Sequence, residues 1–143
     1  MATIDPTLKF LLHLSKVQTT INRKLDGQLS VHGLSFNDFV ILYHLTQAPA
    51  QKLRRIDLAE KIGVTASGVT RILAPMEKIG LVSREANEHD ARISYVVLAP
   101  GGRRLFQESS KTAGYVAAEL FPSSKTKKVE KLAELLNEII GAS

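Results

Sequence analysis

The chain has 143 residues, a formal net charge of +5, 44% hydrophobic and 23% charged residues, and no cysteine. That length suits one domain, and the lack of thiols removes a disulfide scaffold, a thiolate zinc site and a cysteine redox switch. No run of about 18 apolar residues is present, so no membrane span is expected, and the start "MATIDPTLKF" lacks the features of a secretion signal; a cytoplasmic protein is the expectation.

Residues 7–29 read as a long helix, with Phe10, Leu14, Val17, Ile21 and Leu25 at three- and four-residue steps and Leu8, Leu11 and Leu12 widening the stripe. Gly33 breaks the pattern, and Ser35 is placed to cap a second helix over about 36–47. "APAQ" at 48–51 ends it. Asp57 then opens a short helix, with Glu60 at capping-box spacing and Gly63 in the position that favours left-handed backbone. Thr65 caps the next helix, which runs to Gly80. From residue 81 the period changes to two: "LVSRE" and "RISYVVL" read as antiparallel strands joined by "ANEHD". "APGG" at 99–102 closes the hairpin, Gly101 and Gly102 reading as a turn, with Pro100 suited to a helix's first turn. A helix to about 120, a break at "FPSS", and a last helix over 124–140 with Val129, Leu132, Leu136 and Ile139 on one stripe complete the chain.

The helix after Thr65 carries the chemistry. On a helical wheel Val69, Ile72, Leu73, Met76 and Ile79 fall within one sector of roughly 120°, opposite Ser67, Thr70, Arg71, Ala74 and Lys78. The outward face is small, polar and basic. Small residues such as Gly68 let the backbone approach a major groove; hydroxyls can meet phosphate or base edges; Arg71 can grip guanine or phosphate with its two-pronged fork. The preceding short helix braces it as the first half of a helix-turn-helix. On or beside the hairpin loop stand Arg84, His89, Asp90 and Arg92, the residues of a wing that lies along the sugar–phosphate backbone or enters the minor groove. Residues 51–111 hold 11 Lys or Arg against 7 Asp or Glu, so most of the excess charge sits here. Taken alone, such a face equally describes a solvated helix surface. A winged helix that docks protein instead of DNA is the rival reading.

Together, "GLSFNDFVILYHL" at 33–45, "LAEKIGVTASGVTRIL" at 58–73, "MEKIGLVSRE" at 76–85 and "DARISYVVLAPGG" at 90–102 resemble the MarR family of transcriptional regulators over about residues 8–120. The resemblance implies a mainly α protein with a small β-hairpin wing: a winged helix-turn-helix at about 34–100, flanked by dimerisation helices at about 7–30 and 101–141, in a single protomer of residues 1–143. It implies a homodimer whose helices at 65–80 read a palindromic site on double-stranded DNA. It also implies a small effector, often a phenolic anion, between the dimerisation and DNA-binding regions. The chain departs from the family pattern in three places. The wing reads Asp90-Ala91-Arg92 where Asp-Arg-Arg is usual, and Asp90 is expected to pair with an Arg to hold the wing. Ala99 stands where a Thr cap is usual, a loss of about 1 kcal/mol. Pro75 lies inside the recognition helix, where it removes the hydrogen bond to the Arg71 carbonyl and is expected to bend the helix.

Apolar stripes on the first and last helices exceed what a small core absorbs. Pairing with a second protomer and packing within one chain both use them. His13, Tyr43, His44 and Tyr115 interrupt apolar helix faces; they suit either the lining of an effector pocket or ordinary packing. Four scattered histidines without cysteine form no metal-ligand spacing, and no cofactor is expected. A nucleophile elbow, an H-E-x-x-H helix and a phosphate-cradling glycine loop are all missing from the sequence, so no catalysis is expected.

Overall fold

In the computed structural model, which describes residues 3–142, the chain runs α1 (Pro6–Leu29), α2 (Phe36–Gln47), β1 (Lys52–Arg54), α3 (Arg55–Ile62), α4 (Ala66–Lys78), β2 (Val82–Ala86), β3 (Ser94–Leu98), α5 (Pro100–Leu120) and α6 (Thr126–Ala142). It is mainly helical with a small antiparallel sheet in the order β1-β3-β2, the winged helix-turn-helix arrangement expected from the sequence. Local signals explain most boundaries. Ser35 and Asp38 form a reciprocal capping box at the start of α2, each side chain satisfying the other residue's N–H at 3.1 Å. Thr65 Oγ1 accepts the Gly68 N–H at 3.0 Å and caps α4. Gly63, at φ 71°, supplies the left-handed residue that turns α3 into α4. Pro100 opens α5 behind an Ala99 that offers no side-chain cap.

Four expectations need correction. The short helix starts at Arg55, not Asp57, and Asp57 and Glu60 form no capping box. The reason is β1, a third strand with no alternating pattern to announce it. Paired with β3 through Lys52↔Val97 and Arg54↔Tyr95, it delivers extended backbone directly into the helix, so Asp57 sits within the first turn and acts on the helix dipole. Ile79 does not pack beneath α4; it is the residue past the helix end and is 65% exposed. Gly101 and Gly102 are not a turn but the first turn of α5. Gly102 is buried there, and a Cβ on it would collide with the Leu81 carbonyl, which accepts the Ala99 N–H at 3.1 Å. The close approach of helix to strand end requires glycine.

α4 is continuous across Pro75, which is exposed. The core gathers Leu25 and Leu29 from the end of α1, Ile41, Leu42 and Leu45 from α2, Leu58 from α3, Val69, Leu73 and Met76 from α4, Val82, Val96 and Leu98 from the sheet, and Val116 from α5. It holds the helix-turn-helix and wing as one packed body. The first half of α1 and nearly all of α6 lie outside it, with Leu8, Leu11, Leu12, Leu132, Leu136 and Ile139 exposed. Among the described residues, no helix is long and apolar enough to cross a membrane.

Candidate nucleic-acid interface

α4 presents its outward face because its inward face is fully engaged. Val69, Leu73 and Met76 are buried, and the register this imposes leaves Ser67, Thr70, Arg71, Ala74 and Lys78 exposed on the far side. Thr65 Oγ1 and Ser67 Oγ lie 3.2 Å apart at the first turn. A Cβ at Gly68 would press on Thr65 Oγ1 at 3.2 Å and Val64 Cβ at 3.4 Å, so glycine here lets the cap close as well as keeping the surface low. Thr70 is engaged within the protein: its Oγ1 accepts from Arg55 Nη2 at 3.0 Å and donates to the Ala66 carbonyl at 3.3 Å. The side chains of Arg71 and Lys78 make no hydrogen bond or ion pair among the described residues. Their cationic heads stand free to meet an anion or a base edge.

The one carboxylate on α4 is neutralised. Glu77 Oε1 accepts from Arg55 Nη1 at 3.4 Å and lies 3.6 Å from Arg84 Nη2, so α3, α4 and β2 are tied at a single point. Sequence reading placed Arg84 in the wing but missed the partnership with Arg55 and Glu77, because the three residues are separated along the chain and meet only when the sheet packs against α4.

The wing is braced from base to tip. Lys52 on β1 pairs with Glu85 at 2.9 Å and lies over the Tyr95 ring at 4.8 Å; the Glu85 hydrogen bond raises the lysine's pKa. Tyr95 Oη accepts from Asn87 Nδ2 at 3.0 Å, and Asn87 Oδ1 accepts the backbone N–H groups of His89 at 2.8 Å and Asp90 at 3.0 Å. Asp90 pairs with Arg92, as expected. Its Oδ1 accepts from Arg92 Nε at 3.1 Å and from the Arg92 backbone at 2.9 Å, and its Oδ2 from Arg92 Nη2 at 3.0 Å. These bonds hold the Asp90 carboxyl below the usual carboxylate range, with a smaller contribution from the charge of Arg54, and raise the pKa of Arg92. Arg92 nonetheless remains 91% exposed, and His89 is exposed at the tip. Lys52, Asn87 and Tyr95 carry no sequence signal for a wing brace; their roles follow from strand register.

The four residues considered for an effector pocket are not equivalent. His44 is half-buried in a cleft of about 800 Å³ whose lining includes Leu53 of β1, Asp57, Glu60 and Lys61 of α3, and Ile140 of α6. Burial lowers its pKa, and the positive charge of Lys61 lowers it further. The Tyr43 ring packs against His44 at 5.4 Å and Phe106 at 6.4 Å. His13 is exposed on α1, and Tyr115 is 74% exposed on α5. Among the described residues, no group of three or more His, Asp or Glu side chains is placed to hold a metal ion.

Residues 34–94 match the sequence model of the MarR family. The transcriptional regulator BldR from Sulfolobus solfataricus is 28% identical and superimposes with a TM-score of 0.86 over 100% of both chains. A mutant MarR from E. coli, solved in complex with operator DNA, is 25% identical, with a TM-score of 0.77 over 94% of each chain. Among curated proteins, the uncharacterized HTH-type transcriptional regulator YdgJ of Bacillus subtilis is 26% identical over 135 residues, covering 92% of this chain and 79% of the relative.

Proposed function

We propose that this chain, which carries the MarR family match over residues 34–94 and the fold of the DNA-binding regulators it resembles, works as a homodimer that reads a palindromic operator with α4. The observation that carries this reading is the free guanidinium of Arg71. It stands on an exposed helix face whose opposite side is sealed into the core and whose only carboxylate, Glu77, is already paired. Arg71 is the principal reader of base edges, Ser67 and Lys78 serve nearby base edges or phosphates, and Thr65 and Gly68 set the approach of the first turn. Arg84, His89 and Arg92 follow the backbone beside the wing, and Asp90 holds Arg92 in place. With Ala91 at the centre of the wing motif, minor-groove contact is weaker than in relatives that carry arginine there.

The exposed apolar faces of α1 and α6 support the dimer: burying them against a second copy removes a surface that water disfavours. Two-fold symmetry then sets the two α4 helices about 34–36 Å apart, one turn of DNA. A small effector occupying the cleft at His44 would lie between α3 and α6 and so link the DNA-binding and dimerisation regions. Two carboxylates, Asp57 and Glu60, face one ammonium, Lys61, in that cleft; the balance favours a neutral phenol over its anion.

The test is a gel-shift series on genomic fragments across salt concentration, with wild-type protein and Arg71→Ala. A DNA reader shows a steep fall of affinity with salt, and Arg71→Ala loses about 1–3 kcal/mol and relaxes sequence preference. A winged helix that docks protein instead shows no duplex affinity at low salt, and that result overturns the reading.

A further inference from the structure

Between α4 and the base of the wing lies a cleft of about 210 Å³, with Arg54 and Arg55 at the start of α3 on one side, Thr70 of α4 on another, and Arg92 and Ser94 at the foot of β3. Building on the proposed reading of α4, we infer that this cleft seats one backbone phosphate of the bound duplex, with Arg54 as its principal donor.

Three observations carry the assignment. The first is charge. Three guanidinium groups line the cleft and no carboxylate does. The two carboxylates in contact with this cluster, Glu77 and Asp90, are shared among Arg55, Arg84 and Arg92, so four cations face two anions and the surplus is positive. The second is availability. Arg55 is fixed by Glu77 and Thr70, and Arg92 by Asp90, whereas Arg54 is exposed and its side chain makes no hydrogen bond or ion pair among the described residues. Arg54 also precedes the first helical residue of α3 and caps nothing with its side chain, and its charge acts on Asp90 only as a smaller contribution beside the Arg92 hydrogen bonds. The third is position. A helix in the major groove and a wing at the neighbouring minor groove straddle one sugar–phosphate strand. On this protein, the cleft is what lies between those two elements. A planar fork meeting a phosphate there forms paired charge-assisted hydrogen bonds that fix register without reading sequence.

The full-length protein, titrated against labelled genomic duplexes over a range of salt, decides the matter. Arg54→Ala should weaken binding alike on every duplex and lower the slope of log affinity against log salt by about one per protomer, and Arg54→Lys should recover most of that slope. A thermal melt confirms that the Arg54→Ala protein remains folded. Unchanged affinity and slope in Arg54→Ala, with wild type still binding, would overturn the seat and leave the role of α4 standing. No duplex binding by wild type would overturn that role and the seat with it. Calorimetry with inorganic phosphate provides the other arm. Phosphate binding that Arg54→Ala abolishes, combined with an unchanged salt slope on DNA, would assign the cleft to a free anion and refute the backbone contact.

Discussion

α4 and α6 are both amphipathic helices with apolar residues at helical spacing, yet they end in opposite situations. The apolar side of α4 meets α2, α3 and the sheet, so Val69 and Leu73 are fully buried. The apolar side of α6 meets almost nothing of its own chain: Leu132 is 48% and Ile139 49% exposed. Amphipathicity accounts for both helices and identifies the partner of neither. For α4 the engaged side is informative because it makes the remaining face a surface available for other contacts. For α6 the exposed side is informative because apolar side chains in such number on one helix support the proposed pairing with a second copy.

The contrast can be broken most forcefully through the side chains themselves. Leu73→Ala should cost about 3 kcal/mol in a denaturant titration at any protein concentration, because the cavity it leaves lies within one chain. Leu136→Ala should destabilise in a concentration-dependent way, its effect appearing in the protein's association and fading on dilution. Equal, concentration-independent losses would remove the distinction between the two helices. Gly102→Ala comes next in size. The added methyl meets the Leu81 carbonyl where α5 leaves the sheet, and a loss of about 2 kcal/mol in the same titration is expected despite the better helix propensity of alanine.

What was legible in the sequence divides along the same line. Caps such as Ser35 and Thr65, the left-handed Gly63, the period change at residue 81 and the polar face of α4 are local patterns, and the structure contains each of them. β1 is three residues long, and its identity depends on pairing with Val97 more than forty residues away; nothing within "KLR" announces it. Missing it misplaced the start of α3 and made Asp57 look like a cap. Gly102 reads as a turn until the Leu81 carbonyl is brought against it. The polar site shows the same limit. Arg71 was legible because exposure follows from helix phase, whereas the Arg55–Glu77–Arg84 cluster and the freedom of Arg54 depend on how α3, α4 and β2 pack together.

Two smaller effects sharpen the picture. Ala99→Thr should supply the missing cap of α5 and raise stability by about 1 kcal/mol, read as a higher midpoint in thermal or denaturant unfolding. The least effect concerns His44. Its pKa in the folded protein lies below the ordinary 6.5, so the folded state takes up this proton less readily than the unfolded chain. Stability from this group is therefore complete above the ordinary value and declines as pH falls through it toward the folded pKa. Melting temperatures compared at neutral and mildly acidic pH should drop more for wild type than for His44→Gln, and an equal drop would remove His44 as the cause.

The central claim is that α4 enters the major groove, twice, from a two-fold symmetric pair. Hydroxyl-radical footprinting on a genomic fragment that the protein retains tests it directly. The account predicts two protected patches on one face of the duplex, centred about 10 base pairs apart, each lost in the Arg71→Ala protein. A single unpaired patch, or a footprint that survives Arg71→Ala unchanged, would contradict it.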